Sequence, residues 1–239
     1  MQKKIIIFDF DGTLTPYPVT RFKILDKCGY KGGVHNPEIV KLFQEMLQND
    51  QVNFYGAVYR AFIDKVNESP YKMTDSNISM GAEEQVFNKG VISFLKMLND
   101  NNAVNYIVSS GLKVYIEKTK VNEYFTKIYG TTFKYDSNGI AVDLEFLIDD
   151  ETKAMVIEEI IRDNNMMDCK NVIYVGDSIS DYYAMKYVKD NGGQTIFVYQ
   201  DDESDDIKKV RNSGVVSSFF LADYSEGSKL NEYIKNWVV

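Results

Sequence analysis

Apolar and polar positions divide this 239-residue chain into short unbroken apolar runs and longer stretches of helical spacing. The first run, Ile5-Ile6-Ile7-Phe8, has no polar break and is rich in β-branched residues. That composition suits a parallel strand covered on both faces, so the run predicts a central strand. Similar runs at 104–108, 171–175 and 195–199 predict further buried strands, and Phe219-Phe220-Leu221 predicts an edge strand. From 16 to 89 the pattern is helical, with no strong strand candidate. Pro37 opens a helix with Ile39, Leu42, Phe43, Met46 and Leu47 on one face. Tyr55, Val58, Tyr59, Phe62 and Val66 mark a second helix over 54–66, and a third is expected over 74–87. Helices are also expected over 90–101, 113–121, from 149 onward, and over 229–237. The region 127–148 carries strand-like runs broken by Asp136-Ser137-Asn138-Gly139, a hairpin turn. The whole predicts an α/β fold in which helices flank a parallel sheet. Its core spans 1–15 and 90–239, with a helical unit over 16–89 inserted after the first strand.

The predicted strands end in chemistry. Side chains two apart on a strand point the same way, so Asp9 and Asp11 should project together from the carboxyl end of the first one, where open α/β sheets hold their ligands. Gly12 then permits a sharp turn and close backbone approach. Two carboxylates about 4 Å apart repel by roughly 1 to 4 kcal/mol, depending on the effective dielectric. Either one pKa rises or a hard cation with oxygen ligands binds between them, although Asp-Gly is also a common turn signal. The strand at 171–175 repeats the arrangement with Gly176-Asp177-Ser178-Ile179-Ser180-Asp181. Asp177 belongs at the strand tip beside Asp9, and Asp181 at the next helix start, pointing back to the same place; an Asp-Ser at a helix entry can also be plain capping. The strand at 104–108 ends in Ser109-Ser110-Gly111, whose hydroxyl and glycine-flanked backbone suit phosphate oxygens but also read as a loop. Lys153, in the first turn of its helix, is by pattern alone an ordinary solvated lysine.

Composition narrows the chemistry. The net charge of −8, with no basic patch, argues against a nucleic-acid or anionic-membrane partner. No apolar run reaches about 18 residues and only Met1 to Lys4 precede the first strand, so neither a membrane span nor a signal peptide is expected, and a cytoplasmic location follows. Cys28 and Cys169 lack metal-ligand spacing and read as free thiols. The single histidine, His35, sits in a Gly-Gly-Val-His-Asn-Pro loop rather than at a catalytic position. Any mechanism must therefore run on carboxylates and lysine. Arg60 and the tyrosines of the inserted unit are the candidates for reading a substrate from that side.

Taken in order, Asp9-Phe10-Asp11-Gly12-Thr13, Ser109, Lys153, and Gly176-Asp177 with Asp181 form a series that resembles the haloacid dehalogenase superfamily of phosphatases, over most of the chain from Ile5 to about Val198. The resemblance implies a Rossmann-like sheet with a small helical cap of the first type inserted at 16–89, similar to the phosphoserine phosphatase branch. It also implies a phosphomonoester hydrolase acting on a small phosphorylated metabolite through an aspartyl-phosphate. Asp9 would be the nucleophile, Asp11 the general acid and base, and Lys153 the charge balance, while Gly12, Thr13, Ser109, Ser110 and Gly111 would bind phosphate. Mg²⁺ would be held by Asp9, the Asp11 carbonyl and Asp177, with Asp181 in support. The presence of Asp11 points to phosphoester rather than carbon–halogen chemistry. Two departures stand out: Pro16-Tyr17-Pro18-Val19-Thr20 lacks the substrate-reading glutamate of the phosphoserine phosphatases, and Ser180 replaces the usual Asn before the last acid. Phosphoserine is therefore a doubtful substrate. A phosphoryl transferase such as a sugar phosphomutase, and a non-catalytic phosphate-binding protein that keeps the fold, share the same motifs.

Overall fold

Strand β1 (Ile5–Phe8) lies at the centre of a seven-stranded sheet of order β4-β3-β2-β1-β5-β6-β7. The computed structural model describes residues 3–19, 22–49, 53–200 and 205–239. The other strands are β2 (Val104–Leu112), β3 (Lys127–Tyr135), β4 (Ala141–Phe146), β5 (Val172–Gly176), β6 (Gln194–Tyr199) and β7 (Ser218–Leu221). All neighbours are parallel except β3 and β4, which pair antiparallel around the Asp136 turn. There the Asp136 carboxylate accepts the amides of Asn138 and Ile140, and Gly139 takes φ +74°.

Every residue of β1 is buried because both sheet faces are covered. Ile6 and Phe8 join one apolar cluster with Phe94, Leu95 and Leu98 of α5 (Val91–Asp100), while Ile5 and Ile7 join another with Val156, Ile157 and Ile160 of α7 (Asp150–Asp163). The chain leaves β1, builds β2 to β4 on one side, and returns as β5 on the other. The carboxyl ends of β1 and β5 thus form a topological switch point, the place where such sheets bind ligands.

Between β1 and α5 run α1 (Lys23–Lys27), α2 (Pro37–Asn49), α3 (Phe54–Glu68) and α4 (Asp75–Ile78). They surround their own apolar cluster, including Phe22, Ile39, Phe62 and Ile63, which continues onto Leu112 and Phe133 of the sheet and Tyr115 just after β2. The helix expected over 74–87 is not continuous: α4 ends at Ile78, Gly81 takes a left-handed φ of +85°, and a 3-10 turn follows over Ala82–Glu84. The helix expected over 113–121 is only α6 (Lys113–Ile116), where the Thr119 hydroxyl donates to the Ile116 carbonyl and ends it. Strand β2 runs past the expected end at 108 to Leu112, with a register shift against β3, so Ser109 and Ser110 sit on an irregular strand end rather than a loop. The remaining helices are α8 (Tyr182–Asp190), α9 (Asp205–Arg211) and α10 (Lys229–Val238). Of the acidic run at 201–206, the first four residues lie outside the described residues. Among the described residues no helix is long and apolar enough to cross a membrane.

Candidate active site

Asp9 follows β1 directly, and its amide donates to the Val175 carbonyl of β5 at 2.9 Å, which locks the two strand tips together. Lys153, one turn into α7, reaches in to donate to Asp9 Oδ1 at 3.0 Å and to Asp181 Oδ1 at 2.7 Å. All three side chains are nearly inaccessible, so this lysine is no solvated surface group. Burial alone would lower the Lys153 pKa, but the facing carboxylates of Asp181 and Asp9 outweigh it and hold the ammonium firmly charged.

Asp181 is fully committed. Its Oδ1 accepts from Lys153 and from the Tyr174 hydroxyl at 2.6 Å, and its Oδ2 accepts the amides of Asp177 at 3.1 Å and Ser178 at 3.2 Å. A side chain at Gly176 would collide with that carboxylate, so glycine at the end of β5 is what allows Asp181 to fold back. Asp181 therefore stands behind the site and shapes the Asp177 loop. Asp177 in turn accepts from the Thr13 hydroxyl at 2.8 Å and presses against the backbone of Gly12, whose φ of +77° and lack of Cβ both suit this approach.

Gly12 and Thr13, expected to contact phosphate, do not line the cavity. The Gly12 amide donates to Thr15 Oγ1 at 3.1 Å, and the Thr13 carbonyl accepts from Asn88 and Tyr224. Both residues buttress Asp177. Arg60 does not reach the site either, and pairs instead with Asp143 at 3.4 Å on the outer face of α3.

The cavity itself has a volume of about 300 Å³ and lies between the strand tips and a wall formed by Phe22, Val34, α2 and α3. Asp9, Asp11, Lys153, Asp177, and the Ser109-Ser110-Gly111 segment line one side of it. Ser109 Oγ accepts the Gly111 amide at 3.1 Å, while Ser110 Oγ is buried with no partner among the described residues. His35 lies exposed at the cavity edge, closing a 3-10 turn.

Burial raises the Asp9 pKa to about 7, against the Lys153 ammonium and with help from Asp181 and Asp11. Asp11 is raised to about 6, again by burial, with the Val19 amide and Lys153 pulling it back. Asp177 is raised well above the ordinary carboxylate value by burial and by Asp9. One ammonium does not balance this group. Carboxylate oxygens of Asp9, Asp177 and Asp181 come within 4.8 Å of one another, and such a set of hard oxygen donors with uncompensated charge fits a divalent cation. Since Asp181 is saturated by its four hydrogen-bond donors, Asp9 and Asp177 are the side chains with oxygens left to face one.

The chain matches the haloacid dehalogenase-like hydrolase family over residues 6–186. It belongs to that family. Among solved structures it is similar to a phospho-aspartyl intermediate analogue of phosphoserine phosphatase, with a TM-score of 0.64, 18% identity and coverage of 99% of each chain. A substrate-bound phosphoserine phosphatase complex gives a TM-score of 0.63 at 17% identity, covering 99% of both chains. At these identities the likeness establishes a shared fold. A curated relative, an uncharacterized protein of Borreliella burgdorferi, is 23% identical, covering 96% of this chain and 94% of its own.

Several residues that complete the site carry no motif. Tyr174, Tyr224 and Asn88 place a hydroxyl or amide on Asp181 or on the Thr13 carbonyl. Asn88, a polar residue just before the apolar face of α5, was open to notice as a buried polar group; the tyrosines read only as core.

Proposed function

We propose that this protein is a Mg²⁺-dependent phosphomonoester hydrolase that works through an aspartyl-phosphate on Asp9. The observation that carries the reading is the convergence of Asp9, Asp11, Asp177 and Lys153 on one cavity, with the lysine 3.0 Å from Asp9. A carboxylate oxygen of Asp9 attacks phosphorus while the bond to the leaving oxygen breaks, and Asp11 gives that oxygen its proton. Water then attacks the phosphoryl group, Asp11 takes the water's proton, and the bond to Asp9 breaks to release inorganic phosphate. The pKa of about 6 at Asp11 lets one group serve as acid and then as base near neutral pH. Lys153 favours the ionised form of Asp9 and orients it, and Ser109 and Ser110 offer hydroxyls to phosphate oxygens. Asp9, Asp177 and the Asp11 carbonyl would hold Mg²⁺, which when bound neutralises charge on the phosphoryl group. The helical unit over 16–89 serves as the cap that excludes water, in line with the fold shared with phosphoserine phosphatases.

The test is release of inorganic phosphate from p-nitrophenyl phosphate with Mg²⁺ or with EDTA. Turnover should require Mg²⁺ and be lost in Asp9→Asn. Turnover that survives Asp9→Asn would remove the nucleophile and the mechanism with it. Isomerised substrate in place of free phosphate would point to a phosphoryl transferase.

A further inference from the structure

The cavity is divided by chemistry. Its strand-tip side holds every charged carboxylate and ammonium that lines it among the described residues. The opposite side is formed by Val19, Phe22, Phe43, Phe54 and Val58, and its polar groups among the described residues are the hydroxyls of Tyr55 and Tyr59 and the edge imidazole of His35. The Tyr59 hydroxyl is already spent on the Ser110 carbonyl at 2.8 Å. Phe43 and Phe54 meet edge to face at 5.6 Å, forming an aromatic corner, and Phe54 is 54% exposed at the opening.

Resting on the phosphatase reading, we infer that the alcohol part of the substrate is an uncharged aromatic group, seated against Phe22, Phe43, Phe54 and Val58 while its phosphate lies on the strand-tip side. The apolar wall of Val19, Phe22, Phe43, Phe54 and Val58 favours an uncharged group over the ammonium and carboxylate of a phosphorylated amino acid, which would lose hydration against it. A sugar phosphate would lose hydroxyl hydration against the same apolar wall. An aromatic ring gains from burial and from edge-to-face contacts with the Phe43 and Phe54 corner. The volume of about 300 Å³ lies at the small end of ligand pockets and admits a single ring system beside a phosphate.

Benzyl phosphate is the discriminating probe, because its leaving group is an alkoxide like that of phosphoserine and the comparison reads the pocket rather than intrinsic reactivity. Phosphate release is measured for benzyl phosphate, phosphoserine, glycerol phosphate, glucose 6-phosphate and p-nitrophenyl phosphate. We expect kcat/KM for benzyl phosphate to exceed that of the charged and polyhydroxylated esters by at least about 100-fold. Phe54→Ala, at a half-exposed position, should lower kcat/KM for benzyl phosphate about tenfold, mainly through KM, and lower it for glycerol phosphate by much less, so that the benzyl preference shrinks. Val58→Asp should collapse the benzyl preference, and benzylphosphonate, which cannot be hydrolysed, should inhibit competitively and lose affinity in both variants. If p-nitrophenyl phosphate is hydrolysed but benzyl phosphate is no better than phosphoserine or a sugar phosphate, the inference is overturned and the phosphatase reading stands. If no ester is turned over, the phosphatase reading falls first. Unchanged selectivity in folded Phe54→Ala also overturns the inference.

Discussion

The backbone N–H of Val19 donates to Oδ1 of Asp11 at 2.8 Å, so the inserted unit reaches the proposed acid–base residue through the main chain at its very first residues. An amide donor favours the ionised carboxylate and opposes the burial that raises Asp11 to about 6. Removing the donor should therefore raise the pKa further. Asp11 must be protonated to assist the first step, so Val19→Pro is expected to move the alkaline limb of the kcat/KM profile upward by about one pH unit. Val19→Ala, which keeps the N–H, should leave the limb in place. A pH profile of both variants on one substrate is the check.

Lys153 bridges two buried carboxylates, and its loss leaves both without a counter-charge. Lys153→Met should destabilise the protein by about 3 to 5 kcal/mol, since breaking a buried ion pair strands the remaining charge. For a chain of this size that is a fall in Tm on the order of 10 °C. Adding Asp181→Asn to Lys153→Met should restore part of the loss, because one of the two stranded charges is gone while an Asn oxygen can still accept from Tyr174. Thermal unfolding of the single and double variants gives the coupling, and strict additivity would contradict the shared network.

Gly12 answers to two constraints at once, a positive φ and the Asp177 carboxylate pressed against its backbone. Gly12→Ala should cost about 1 to 2 kcal/mol for the left-handed backbone, and more for displacing Asp177. The expected signature is a lowered Tm together with a marked loss of Mg²⁺ affinity in a titration followed by activity. A variant that loses stability but keeps its Mg²⁺ affinity would separate Asp177 from the cation.

The sequence made the strand tips legible because their chemistry is local. The unbroken run Ile5 to Phe8 and the run at 172–175 both read as strands covered on two faces, and their pairing in the sheet brings Asp9 to Asp177. Lys153 was legible only through the motif series, since spacing marks it as one more lysine in a helix and only tertiary folding buries it. The helix expected over 74–87 failed at Gly81, where turn geometry overrode apolar spacing that Ile78 and Ala82 satisfy without a continuous helix. Arg60 was misplaced because helical periodicity fixes a face only approximately, and Asp143 on the neighbouring strand captures the guanidinium. Tyr174 and Tyr224 were invisible as site residues because an aromatic in an apolar run shows its ring to the pattern and its hydroxyl only to the fold.

Asp9 and Asp177 make stability depend on pH and on the cation in a definite direction. Burial lifts Asp9 from an ordinary 3.8 to about 7 and Asp177 in the same direction, so between those values the folded state binds more protons than the unfolded one. Stability from Asp9 is complete below about pH 4 and is lost as pH rises through about 7, and Asp177 acts in the same direction. Lowered carboxylates elsewhere, such as Asp136 and Asp223, act the opposite way, so the decisive comparison is between the wild type and Asp177→Asn. Without Mg²⁺, the gain in unfolding temperature of Asp177→Asn over the wild type should grow from pH 5 to pH 8, because the variant removes a buried carboxyl that holds its proton more tightly in the folded state and so destabilises the fold increasingly as pH rises. Mg²⁺ should raise the Tm of the wild type more at pH 8 than at pH 5.5, since the cation binds the ionised carboxylates and must displace protons at the lower pH. The variant should gain little at either pH. Thermal melts with EDTA or Mg²⁺ at the two pH values decide it, and an equal Mg²⁺ gain in both proteins would mean that Asp177 does not hold the cation.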